Sequence, residues 1–224
     1  MSVSLPLVMG LALSGVTYAQ DTIDLGVLKN SDISVVQKML YSKEGRTELA
    51  MHVGVMPFDA YSTTPMAMVS YGAFMSETLG WEVALGGGYG LKSADYKELE
   101  GPMYGVAPDA YRYLLSASGD VQWSPIYAKL NLMGQKILHY DVYGLAGLDL
   151  SVKDSMVLPD LEIAVAPGAV LGIGTRFYLS KNAAIRVQLR DEVVAEIRSP
   201  TTGGTHLDHQ LSVTAGFAML SKED

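Results

Sequence analysis

Between residues 164 and 192 the chain reads AVAPGAVLGIGTRFYLSKNAAIRVQLRDE, and apolar residues recur at every second position. Leu171, Ile173 and Phe177 share one parity, opposite Gly172, Gly174 and Arg176; Ile185, Val187 and Leu189 share the next, opposite Arg186, Gln188 and Arg190. Side chains alternate across a strand, so each run has one apolar and one polar face. Leu179, Ser180, Lys181 and Asn182 form a four-residue connection that makes the two runs a hairpin. The pattern survives inversion: a soluble sandwich buries the apolar face and a membrane barrel exposes it. Strand length, turn spacing and the N-terminus decide between them.

The strands are long. Residues 46–55 set Leu49, Met51, Val53 and Val55 against Glu48, Ala50 and His52; residues 65–74 follow. Residues 80–90 align Trp81, Val83, Leu85 and Tyr89 opposite Glu82 and Ala84. Residues 124–132 set Ile126, Ala128 and Leu130 against Tyr127 and Lys129, and residues 139–148 set Tyr140, Val142, Ala146 and Leu148 against His139, Asp141 and Tyr143. The hairpin supplies strands six and seven, and residues 209–220 the eighth. Lengths of about nine to eleven residues suit a tilted strand crossing a hydrocarbon layer, whereas strands of globular domains run nearer about five or six.

The connections sort by parity. Those after strands two, four and six (75–79, 133–138, 179–182) are short; those after strands one, three, five and seven (56–64, 91–123, 149–163, 196–208) are longer. An up-and-down barrel with both termini in the periplasm has this asymmetry, and a Greek-key sandwich has no cause for it. Trp81, Phe74, Tyr140 and Phe177 lie near strand ends, where rings favour the membrane boundary.

The N-terminus agrees with export. Residues 5–16 are an apolar core and Thr17, Tyr18 and Ala19 a small-residue cleavage site, although no Lys or Arg precedes the run. The reading is a signal peptide over 1–19, a periplasmic leader over 20–45 with loosely helical Ile33, Val36 and Leu40, a barrel over 46–220 and a short tail over 221–224. A net charge of -8 gives no footprint for nucleic acid. The absence of cysteine removes disulfides, thiolate metal sites and thiol nucleophiles.

By parity the wet face collects Glu48, Glu82 and Asp141 with Lys129, Arg176, Arg186 and Arg190. Charges of both signs in a narrow tube must pair, so these seven are expected to form a polar network that plugs the lumen. Catalytic signals are absent. No G-x-S-x-G elbow occurs, Gly86-Gly87-Gly88 precedes neither a P-loop lysine nor a helix, and His206 and His209 have no specific metal spacing. No cofactor, metal or catalytic residue is therefore assigned, and the chain is not expected to be an enzyme. The loop after strand three carries Tyr96, Tyr104, Tyr111, Tyr113 and Trp123, an acidic stretch over 95–100 and a potential helical turn at APDAYRYLL. Its aromatics are a candidate surface for a protein partner.

The stretch Val36-Gln37, then Lys43-Glu44-Gly45-Arg46-x-Glu48-Leu49, then Gly80-Trp81-Glu82 through Gly90, resembles the outer-membrane β-barrel proteins of myxobacteria and their relatives. The resemblance spans about residues 35–220 and implies a monomeric outer-membrane barrel without assigned enzymatic activity, some relatives being associated with gliding motility. Ser221, Lys222, Glu223 and Asp224 follow the last strand, where many such proteins end on an aromatic.

The sequence thus predicts an all-β fold, an eight-stranded antiparallel up-and-down transmembrane β-barrel in the outer membrane of a Gram-negative bacterium. Its partners would be outer-membrane lipid and envelope proteins met through the long loops or the leader. Three alternatives carry their own requirements. A lipid-modifying hydrolase or acyltransferase needs a Ser or His with an acidic partner at one rim, a narrow pore needs a continuous wet path past the arginines, and a soluble lipocalin-like binder needs its apolar faces turned inward.

Overall fold

The computed structural model describes residues 40–108, 110–132, 136–157, 163–197 and 205–221. The expected signal peptide over 1–19, residues 20–39 of the expected leader and residues 222–224 of the tail lie outside them. The described elements run β1 (Thr47–Met56), β2 (Ser62–Phe74), β3 (Leu79–Gly88), β4 (Leu91–Lys92), α1 (Ala94–Glu100), β5 (Tyr111–Leu132), β6 (Lys136–Ser155), β7 (Ile163–Ser180), β8 (Ala183–Ile197) and β9 (Thr205–Leu220).

Apart from the two-residue β4, which pairs only with β2, each strand pairs antiparallel with its sequence neighbours. The pairing of β1 with β9 closes eight strands into a ring. The register path from Glu48 passes through Gly72, Glu82, Asp120, Gly147, Val170 and Glu192 to Gln210. That is ten residues from Leu220, the β9 partner of Glu48. A stagger of ten over eight strands tilts them about 40° from the axis and leaves a bore that side chains alone can fill.

The two faces are reversed relative to a soluble protein. Leu171 is 59 % exposed and Val187 42 %, with Val53, Val83, Leu85 and Ile173 alike outside, while Arg176 and Arg186 are fully buried within. An outer belt of aliphatic side chains around buried charge is stable where the surroundings are hydrocarbon, and a closed ring leaves no unpaired edge there. The chain is an eight-stranded antiparallel transmembrane β-barrel, and the inward-facing alternative of a soluble binder fails on these exposures.

Several boundaries differ from the sequence reading. The connections after β2, β5 and β7 hold four, three and two residues; those after β1, β3, β6 and β8 hold five, twenty-two, seven and seven. The parity rule thus stands, but the hairpin loop is Lys181-Asn182 and not four residues. Strand β5 begins at Tyr111, so APDAYRYLL runs into strand and makes no helical turn. The helix is α1, capped where the Ser93 hydroxyl accepts the Tyr96 amide at 3.2 Å. Register shifts between Tyr113 and Leu115 and between Trp123 and Ile126 break the alternation over this stretch, which is why its first half reads as loop. Phe74, expected at the membrane boundary, points inward and is buried.

Candidate functional site: the charged interior

Because strand side chains alternate, every inward position of the apolar-belt strands delivers a group to the lumen, and the register decides which groups meet. On the side of the short turns, Arg176 reaches two carboxylates. Its Nε lies 2.7 Å from Glu48, its Nη1 donates to Asp141 at 2.9 Å, and its Nη2 donates to Gln122 at 3.3 Å. Arg186 donates to the same Glu48 at 2.8 Å and to Glu82 at 2.5 Å, with its Nε on the Tyr143 hydroxyl at 3.1 Å. Both guanidinium groups also lie over the Tyr143 ring, about 5 Å from its centroid. A Cβ on Gly174 would collide with that ring, so glycine there is what admits the tyrosine.

The chain just before β1 completes this layer. Gly45, at φ 74°, turns the backbone so that Arg46 enters β1 while Lys43 points into the bore. Lys43 Nζ lies 2.5 Å from Asp141, which also accepts the Tyr178 hydroxyl at 3.0 Å. Tyr41 stacks on Tyr178 at 5.1 Å, its ring nearly parallel, and meets His139 edge-on. Arg46 donates to the carbonyls of Ser42, Lys181 and Ser221, holding the segment before β1, a hairpin and the residue after β9 together. The turn end is shut by packed rings and bonded cations.

Toward the loops the charge pattern changes. Arg190 donates to Asp120 and to Glu192, each at 2.9 Å, and to the Ser118 hydroxyl. Asp149 accepts from Ser151 at 2.8 Å. Above them Lys153 bridges Glu196 at 2.7 Å and Asp208 at 2.6 Å. The mouth widens into a concavity of about 610 Å³ lined by Phe58, Asp59, Tyr61, Tyr111, Glu196 and Asp208 among others.

Of the seven residues expected in the lumen, Glu48, Glu82, Asp141, Arg176, Arg186 and Arg190 lie buried inside. Five of them share one bonded cluster, and Arg190 joins Asp120 and Glu192 above. Lys129 is the correction: it lies opposite His139 in register and is exposed, because β5 continues below the buried layers. Parity set its face but not its height. The five loop aromatics do not make one surface. Tyr96 is buried with its hydroxyl donating to the Met156 carbonyl, Tyr113 points into the barrel onto Ser116, and Tyr111 is buried at the start of β5. Tyr104 remains exposed in the loop, while Trp123 is 60 % exposed on the outer face near the turns, opposite Leu79. The cause is again the early start of β5, which turns three of these residues from loop into strand.

Sequence reasoning passed over Lys43, Asp120, Gln122, Asp149, Lys153 and Glu192. Asp120 and Gln122 alternate with Val121 and Trp123, a signal present in the sequence but lodged between two bulges. Lys43 precedes the first strand, where parity has no meaning.

No protein-family model and no curated protein matches the chain. Two solved structures have the same fold. The N-terminal β-barrel domain of Pseudomonas aeruginosa OprF has a TM-score of 0.50 at 11% identity, over 80% of this chain and 98% of that one. The outer membrane protein OprG from Pseudomonas aeruginosa has a TM-score of 0.50 at 12% identity, over 81% and 98%. The fold is that of the small outer-membrane barrels.

Proposed function

We propose that this chain is an integral outer-membrane protein of a Gram-negative bacterium, with the short turns in the periplasm and the long connections outside. Its role is structural or partner-binding, and neither conduction nor catalysis. The observation that carries this reading is the bonded layer of Lys43, Arg176 and Arg186 with Glu48, Glu82 and Asp141 across the bore. An ion crossing it would have to break several buried charge pairs at once. This layer counts against a narrow pore, which needs a continuous wet path.

Against the lipid-modifying enzyme stands the surround of the His209–Asp191 pair, the kind of rim dyad such an enzyme requires. Their register neighbours on the outer face are Val193, Leu171 and Leu211, none of which supplies a nucleophile. A partner in a larger envelope or motility complex would approach the loop-end concavity, whose rim holds Phe58 and Leu207 exposed. The proposed kinship with the myxobacterial barrels is carried by Val36-Gln37, Lys43 to Leu49 and Gly80 to Gly90, and of these Lys43, Arg46 and Glu48 lie among the bonded residues at the turn end.

The test is functional. In planar bilayers the folded protein gives no stable single-channel steps, and steady steps from the wild type would overturn the sealed reading. Fractionation with the outer membrane and heat-modifiable gel migration are expected alongside; a freely soluble mature chain would overturn the membrane assignment.

A further inference from the structure

One hairpin outruns the barrel on the turn side. Pairing of β5 with β3 stops at Trp123 and Leu79, just where Ser124 donates its amide to the Thr78 carbonyl at 2.7 Å. Pairing of β5 with β6 goes on to Leu132 and Lys136, while β6 meets β7 only from His139. Among the described residues no strand lies against the β3 side of β5 over residues 126–132. Pro125, which has no N–H to give, stands in the bulge where that pairing ends.

A strand paired on one side only presents a row of backbone donors and acceptors on the other. Side chains and backbone groups alternate together, so the residues on one face of β5 turn their N–H and C=O groups to one edge. Ser124, buried inward, marks the β3 side as that edge for the inward face. Past the bulge Tyr127 and Asn131 carry the same face, opposite Asp141 and Ile137 in register, so their backbone groups point to the side that β3 has left. The flanks are apolar: Ile126 and Leu130 on one face and Ile137 on the other are exposed. Edge and flanks together fit an extended backbone with apolar side chains at alternate positions. A second copy does not fit. An edge pairs with itself antiparallel, about a two-fold axis across the strands, and two barrels inserted the same way into one membrane have no such axis.

We propose that the β3-side edge of β5 over residues 126–132 is a docking strand for an extended segment of another periplasmic protein, added by main-chain hydrogen bonds and held by its apolar residues against Ile126 and Leu130. The periplasmic placement rests on the reading above that puts the short turns on that side; the edge itself does not.

The experiment is hydrogen exchange followed by NMR on the full chain in nanodiscs, with a short synthetic peptide alternating valine and threonine as the probe. The Tyr127 and Asn131 amides exchange readily in the chain alone and are slowed about tenfold by the peptide, the size of one main-chain hydrogen bond. The same peptide N-methylated throughout keeps its side chains, loses its donors and slows neither amide. Asn131→Pro removes a donor from the edge, leaves the bonds to β6 and abolishes the effect with heat-modifiable migration intact. Slow exchange of both amides in the chain alone, exchange indifferent to the peptide, or equal slowing by the methylated peptide overturns the docking edge. Slowing that grows with the number of copies per disc gives the edge to a second copy and overturns it too. The side of the membrane is read separately. Asn131→Cys, which puts a single thiol into a chain without cysteine, takes a maleimide too bulky to cross the outer membrane only after that membrane is breached. Labelling in intact cells overturns the periplasmic placement and leaves the exchange result standing.

Discussion

The interior of this barrel is two materials. On the turn side three cations, Lys43, Arg176 and Arg186, meet three carboxylates, Glu48, Glu82 and Asp141, within bonding distance. On the loop side Arg190 pairs with Asp120 and Glu192, Asp149 is buried with them, and Lys153 above holds Glu196 and Asp208. The first half is balanced and shared: Glu48 serves two arginines, Asp141 serves an arginine and a lysine, and Tyr143 lies against both guanidinium groups. The second half carries an excess of acid, and both halves hold carboxylate oxygens without a hydrogen-bond partner, among them those of Asp141 below and of Asp120, Asp149 and Glu192 above. Buried polar groups of that kind are where internal water settles. The contrast teaches that one tube can hold a shared, balanced charge network at one end and an acid-rich one at the other.

The sharpest way to break this contrast is Glu48→Ala, which leaves Arg176 and Arg186 short of their shared acceptor. Unfolding in urea from detergent or vesicles is expected to show a loss of about 3–5 kcal/mol, the cost of orphaning buried charge. Placing a cation on the outside instead tests what surrounds the tube. Leu171→Arg is expected to cost about 2–4 kcal/mol if that face meets mid-bilayer lipid, and unchanged vesicle folding would reverse the assignment of faces. Lys43→Ala sits lower. Asp141 keeps Arg176 and Tyr178, so a loss of about 1.5–3 kcal/mol is expected. Bilayer recordings of this variant should stay silent, because the arginine layer remains. The smallest effect belongs to the loop side: Asp149→Asn removes a buried carboxylate that, among the described residues, has no ion-pair partner, and it keeps an oxygen to accept from Ser151, so its cost is expected to fall below that of Lys43→Ala. A cost as large as that of Glu48→Ala would show the two halves to be alike.

Much of this was written in the residue order. Alternation at 171–177 and 185–189 puts the arginines on one face, and strand length with the short-long rhythm of the connections turns that face inward and points to the barrel. What alternation cannot carry is height along the axis. Lys129 has an inward parity yet ends below the layers it was expected to join, and Trp123 turned out to be a lipid-facing ring and not a loop anchor. Nor can alternation cross a bulge: the two irregularities in β5 hid Asp120 and Gln122 inside an apparent loop. Lys43 and Tyr41 were illegible for a different reason. They reach the bore from a segment with no period at all, and only the closed ring supplies Asp141 and Tyr178 for them to meet.

The interleaving of arginine and aliphatic residues along β7 and β8 bears on transit as well as on the finished tube. A strand that must end among acyl tails could have been built as an unbroken greasy run, and such a run would risk lodging as a helix in the first bilayer the nascent chain meets. Setting Arg186 and Arg190 between the lipid-facing positions of β8 breaks any such run there, whereas β7 carries no charge from Ile163 to Thr175. A strand of that composition presents an apolar face only when the ring closes and turns its guanidinium groups into the lumen.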